Sequence, residues 1–211
     1  MLDVGATLHV TAEELASFGV MGSAYSRIVS EIAAPRVALL SNGTEPNKGT
    51  PEIVAAHVLL RELAINFVGN VEGLDIPRGT VDVIVCDGFL GNVVLKMLEG
   101  VSDVFRDIAR QASGKRLQWK MGLAMLGGGL RELGRLTDWK AYGGAPLLGL
   151  DHVVIKAHGR SESRALRNAI KVAAKAVKGD LIGQIRAGTA ALAVPSSGAA
   201  LDVPSSGAAP E

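Results

Sequence analysis

The run Val81-Asp82-Val83-Ile84-Val85-Cys86 is β-branched and nearly uncharged, with Gly79 before it and Asp87-Gly88 after it. That pattern predicts a strand buried on both faces, as in a parallel sheet. From Val94 the apolar residues fall at Val94, Leu98, Val101, Phe105 and Ile108, the spacing of one helical face. The same alternation recurs along the chain. Leu2-Asp3-Val4-Gly5-Ala6 reads as the end of a strand running into a glycine turn, and Thr11 with Glu14 makes a capping box that opens a helix to about Ser30. Val37–Leu40 is a short buried strand, Thr50-Pro51 starts a helix with proline at its first position, and Ile65–Val68 is a third strand. Val153–Ile155 is a fourth, followed near Ser161 by a helix with the stripe Leu166, Ile170, Ala173 and Val177. Strands alternating with helices predict an α/β fold, a three-layer, mostly parallel sheet with flanking helices.

The pattern breaks in two places. Over 114–140, Lys115, Arg116, Lys120, Arg131, Arg135 and Lys140 face only Glu132 and Asp138, and leucines and methionines interleave with them around Gly127-Gly128-Gly129. Both tryptophans, Trp119 and Trp139, lie there. This predicts a protruding amphipathic helical hairpin. Such a hairpin suits an anionic membrane surface, where each basic residue adds ~1 kcal/mol, or equally a second subunit that buries its leucines. From 187 to 211 the composition collapses to Ala, Gly, Ser and Pro, and Val194–Ala200 recurs as Val203–Ala209. That tail is expected to be disordered, which leaves 1–186 as the folded domain.

The polar residues gather where strands end. Asp87-Gly88 with Gly91-Asn92 follows one strand, and its two glycines are read as allowing close approach to a ligand. Asn42 to Gly49 follows another, with Lys48 beside glycine as a point charge for a phosphate. The Walker spacing is absent, so this is no P-loop, and a solvated surface lysine is the plain alternative. Asn70 and Glu72 stand in Gly69–Gly73, after the third strand. Lys156 and His158 alternate along an extended segment that ends at Gly159, so both are expected to face one cleft. His9, His57 and His152 have no comparable setting. Each stretch, taken singly, is compatible with an ordinary βα loop.

Composition narrows the classes. A net charge of +1 and 4% aromatic residues argue against a nucleic-acid partner. The lone Cys86 excludes a disulfide framework, suits a reducing compartment and reads as a small buried hydrophobe. No apolar run approaches the ~20 residues that span a bilayer, and Met1-Leu2-Asp3 does not open a signal peptide. Metal-ligand spacing is absent, so neither metal nor cofactor is expected.

Taken together, six strings resemble the phosphate acyltransferases of bacterial phospholipid synthesis, the PlsX family. They are Leu2–Ala6, Asn42-Gly43 through Lys48-Gly49, Phe67–Gly73, Asp87-Gly88-Phe89 with Gly91-Asn92, Tyr142–Gly149 (including Gly144), and Lys156-Ala157-His158-Gly159. The resemblance implies a fold like the isocitrate and isopropylmalate dehydrogenases, a homodimer, and a cytoplasmic enzyme loosely attached to the membrane. It implies transfer of a fatty acyl group from acyl-carrier protein to inorganic phosphate. On that reading His158, Lys156, Asp87 and Asn92 are catalytic. Asn42, Lys48, Gly49, Asn70, Glu72, Gly88, Gly91, Gly144 and Gly159 hold substrate, with the amides of Gly88, Gly91 and Gly159 given to phosphate. Thr44, Cys86 and Leu90 depart from the family's usual acidic or hydroxyl residues. The resemblance covers the later part of the family's chain, which implies low turnover and an exposed sheet edge for this stretch alone. An inactive or membrane-bound scaffold and a nicotinamide-dependent dehydrogenase on the same fold are the competing readings; the absence of G-x-G-x-x-G weighs against the latter.

Overall fold

In the computed structural model, residues 1–115, 118, 121, 122, 125, 144–157 and 162–192 are described. The helices and strands among them run α1 (Ala12–Val29), β1 (Val37–Leu40), α2 (Pro51–Glu62), β2 (Phe67–Val71), α3 (Asp75–Arg78), β3 (Val83–Val85), α4 (Gly88–Lys115), β4 (Ala145–Leu147), β5 (Val154–Lys156), α5 (Ser163–Lys178) and α6 (Leu181–Ala190). Strands β2-β1-β3 form a three-stranded parallel sheet. Leu2 adds a parallel bridge beyond β3, with its N–H donating to Ile84 O and its carbonyl accepting from the Cys86 N–H. Leu2 thus extends the sheet by a single bridge. The chain is α/β, with β3 buried between two neighbours as its composition required.

Alternation along the strands divides the core. Val37, Leu39, Val83 and Val85 face α1 and α2, where Leu15, Ala16, Ala56 and Leu60 meet them. Ala38, Leu40, Ile84 and Cys86 face the opposite side with Val71, and there Ile76 of α3 and Val81 pack on them. Helix α1 sits close because Gly19 and Gly22 carry no side chain: a Cβ at Gly19 would stand 2.6 Å from Leu60 Cδ2, and one at Gly22 2.5 Å from Val83 Cγ1. At its far end α1 meets α5 and α6 through Ala24, Ala176, Leu181 and Ile185, with Leu148 and Val153 of the β4–β5 region packed alongside.

Several expectations move. The third strand starts at Phe67 instead of Ile65, because Ile65 and Phe67 N–H bond within the preceding turn. Pairing with β1 sets a bulge between Val37↔Phe67 and Leu39↔Asn70, which Gly69 fits at φ +102. Strand β5 is no fourth parallel strand. It pairs antiparallel with β4 in a separate two-stranded sheet. Helix α4 begins at Gly88, six residues before its apolar stripe, so the expected glycine loop is already helix. Its stripe is not buried: Leu98, Val101, Phe105 and Ile108 are all exposed. In α5 the expected stripe is likewise outward at Leu166, Ile170 and Val177, while Ala165, Ala169 and Ala176 are buried. Glu162 takes the cap position expected of Ser161. The folded body passes residue 186, since α6 continues to Ala190 and Leu192 packs on the core. Most of the expected hairpin over 114–140, and residues 193–211, lie outside the described residues, and among those described no helix is long and apolar enough to cross a membrane.

Candidate functional site

Strands β2 and β3 lie on opposite sides of β1, so the crevice beyond the carboxyl ends of β1 and β3 is where the order reverses. A cleft of about 290 Å³ opens there. Its wall includes Leu8, Val10, Leu40 and Leu90, with His9, Thr50, Glu52 and Asp87 as the polar groups. Two helix starts point at it. Thr50 caps α2, its Oγ1 accepting from the Ile53 N–H at 3.4 Å, and Asp87 Oδ1 accepts the Leu90 N–H at 2.8 Å at the start of α4. The positive ends of both helices favour an anion near the mouth. A hydrogen bond with Thr50 holds the Glu52 carboxyl below the usual range. His9 was passed over by sequence reasoning; its place on the wall comes from the loop before α1, and no local pattern marks it.

The glycines after Asp87 do something other than admit a ligand. The Gly88 N–H donates to Thr7 Oγ1 at 3.0 Å, and the Gly91 N–H donates to the Asp87 carbonyl at 2.9 Å. Both amides, expected to meet a phosphate, are thus paired within the protein. A side chain on Gly91 would fall on the Asp3 carbonyl, and one on Gly88 on the Asp3 carboxylate. These glycines let the start of α4 dock on the Asp3–Thr7 loop. Asp3 organises that loop: its carboxylate accepts from the Gly5, Ala6 and Thr7 amides and the Thr7 hydroxyl, at 2.7 to 3.1 Å. Burial pushes the Asp3 carboxyl up, but these bonds outweigh it and leave the group below its ordinary value. Cys86 is buried with its thiol on the Asp3 carbonyl at 3.3 Å; burial pushes it up to about 12, so it is no nucleophile.

The remaining candidates divide. Lys48 is exposed on a turn closed by its N–H on the Glu45 carbonyl at 3.1 Å, with Gly43 beneath its stem. Asn42 is exposed on the same loop and accepts from the Ser41 hydroxyl, and Gly49 ends the loop at φ +111. Asn70 is buried, and both ends of its amide are paired within the protein: Oδ1 to His57 Nδ1 and Nδ2 to the Glu45 carbonyl, each at 2.9 Å. It anchors the loop from below. Glu72 is half-buried at the end of β2, its N–H bonded to Asp75. Asn92 is exposed in the first turns of α4, above Gly5. Lys156 ends β5 exposed, with Gly144 against its carbonyl across the hairpin. This pair is carried by the small antiparallel sheet instead of the main sheet's edge. His158 and Gly159 lie outside the described residues. Among those described, no group of three or more His, Cys, Asp or Glu is placed to hold a metal.

A family model described as "Fatty acid synthesis protein" matches residues 1–184. The chain belongs to that family. Proteins similar to this chain include one named phosphate acyltransferase from Thermoanaerobacter pseudethanolicus, 41% identical over 88% of this chain and 56% of its own. Another of that name, from Pelotomaculum thermopropionicum, is 42% identical over 94% of this chain and 58% of its own. A third, from Campylobacter jejuni, is 45% identical over 81% and 52%. The chain thus spans about half the length of these relatives.

Proposed function

We propose that this chain carries the phosphate side of a phosphate acyltransferase site, in which inorganic phosphate takes a fatty acyl group from the thioester of acyl-carrier protein. The observation that carries the reading is the sheet-edge cleft, lined by Thr50 at the start of α2 and Asp87 at the start of α4, in a chain whose relatives are named phosphate acyltransferase. The dehydrogenase reading gives way to this family membership. The chemistry needs positioning more than covalent help. A phosphate oxygen attacks the thioester carbon, an oxyanion forms, and the C–S bond breaks as the thiolate leaves and takes a proton. Lys48 and Lys156 supply charge for the phosphate. His158 donates to the oxyanion or protonates the departing sulfur. The cleft's apolar wall, Leu8, Val10, Leu40 and Leu90, suits the acyl group.

The wider reading follows from the same resemblance: a dehydrogenase-like sheet completed by the rest of the protein, a second copy against exposed apolar surface such as that of α4, and an anionic, cytoplasm-facing membrane surface against 114–140. Sedimentation with anionic liposomes tests the last, and Leu126→Glu with Leu130→Glu abolishes it if the hairpin is the contact. The activity test is phosphate-dependent release of carrier-protein thiol. Lys48→Gln is expected to raise the phosphate KM roughly tenfold or more, the loss of one charge-assisted bond, while Lys48→Arg keeps part of the affinity. A folded chain that neither binds phosphate nor releases thiol overturns the proposal.

A further inference from the structure

The polar cluster beneath the Lys48 turn has no part in the reaction just described. His57 lies on the inner face of α2 between Ala56 and Leu60, only 5% exposed. Its ring meets Phe67 edge to face, centroids 5.1 Å apart at 79°. An apolar side chain would fill that space without the cost of burying a ring nitrogen, so the imidazole is there for what it bonds. Its Nδ1 stands 2.9 Å from Asn70 Oδ1. The direction of that amide is settled at its other end. Asn70 Nδ2 donates to the Glu45 carbonyl, which can only accept, so the oxygen of the amide faces the ring. That oxygen requires a donor, and His57 Nδ1 therefore carries the hydrogen.

The Glu45 carbonyl receives a second bond, from the Lys48 N–H that closes the turn. The bulge at Gly69 completes the arrangement, because the extra residue puts Asn70 opposite Leu39, on the sheet face toward α2 and His57. A line of hydrogen bonds thus runs from a helix, through a strand, to an exposed loop. We propose that His57 is a positioning residue, which by donating from Nδ1 fixes the Asn70 amide that holds the Glu45–Lys48 turn, and so sets where the Lys48 ammonium meets a phosphate-type anion. The final step rests on the anion-binding role given to Lys48 above; the anchoring does not.

The experiment compares the 211-residue chain with its His57→Asn and His57→Phe variants. Asparagine keeps a donor where Nδ1 stood, and phenylalanine keeps only the ring. Long-range nitrogen–proton spectra are expected to show hydrogen on His57 Nδ1. Exchange of the Lys48 amide is expected to quicken roughly tenfold in His57→Phe, the worth of one net hydrogen bond, and to return near wild type in His57→Asn. Titration with inorganic phosphate is expected to follow the same order, and where turnover is measured the change falls on the phosphate KM with kcat within about twofold. A bare Nδ1, or a folded His57→Phe variant with wild-type exchange at Lys48, overturns the proposal. Should His57→Phe fail to fold, His57→Gln, whose nitrogen reaches one atom too far, takes its place. If exchange follows the expected order but no variant nor the wild type binds phosphate, the anchor stands and the anion reading of Lys48 falls.

Discussion

Helices α1 and α4 leave the same sheet edge region under similar caps and meet opposite fates. Thr11 and Glu14 close a complete capping box on α1, and Asp87 caps α4. Helix α1 is then buried along much of its length, on alanines, glycines and serines as well as Leu15 and Val20. Helix α4, with the clearer apolar stripe, leaves Phe89, Met97, Val104 and Phe105 more than half exposed. The difference lies in how near another surface can come. Small residues let α1 lie directly on β1 and β3, where Leu39 has no exposed surface. Large residues on α4 make a face that only a further surface could cover. A period of 3.6 announces a face; what covers it is a separate fact.

Four measurements test that contrast, beginning where the core is tightest. Leu39→Ala should cost about 2–5 kcal/mol in denaturant unfolding, because the cavity beneath α1 and α2 cannot collapse. A loss under 1 kcal/mol would mean that the sheet is no better supported than α4. The next test lies where the two regions join. Asp3→Asn should cost about 1–3 kcal/mol at neutral pH, since an amide cannot accept all the bonds that gather the Asp3–Thr7 loop under the root of α4. Asp3 also sets a pH limit. Its folded pKa lies below its ordinary value, so its contribution is full above ~3.9, the unfolded value, and fades as pH falls through the lower folded one. The variant should therefore show a shallower acid limb, and an unchanged one would remove Asp3 from that account.

Thr11→Ala should cost about 1 kcal/mol by thermal unfolding, the worth of an N-cap on a helix that the core needs. The smallest effect belongs to α4. Phe105→Ser should change stability by less than about 0.5 kcal/mol, as for an exposed site. A loss as large as that of Leu39→Ala, growing with protein concentration, would show that a second copy covers α4 in solution and would erase the contrast.

Much of this architecture is written locally. Thr11 with Glu14 and Thr50 with Pro51 each place a helix start from a few neighbouring residues, because a cap is a bond between groups three positions apart. The bounds of β1 and the burial of Cys86 follow from an uninterrupted apolar run between polar loops. The site was legible only in outline. A polar strand end marked Asp87, which lines the cleft, and a histidine on the inner face of α2 was a signal for His57 that its lack of polar neighbours in sequence concealed.

What tertiary structure decided involves distant partners. Gly88 and Gly91 read locally as a ligand loop, yet their purpose is set by Asp3 and Thr7, the latter 81 residues from Gly88. Asn70, read locally as a polar group at a strand end, is a buried anchor because one bulge against β1 turns it toward His57 and Glu45. The stripe on α5 turned outward because α1 accepts only the alanine side at close range. Sequence pattern fixes backbone conformation and the existence of faces, since those depend on near neighbours. Which face is covered, and which polar group is spent internally, depends on what the folded chain brings to it.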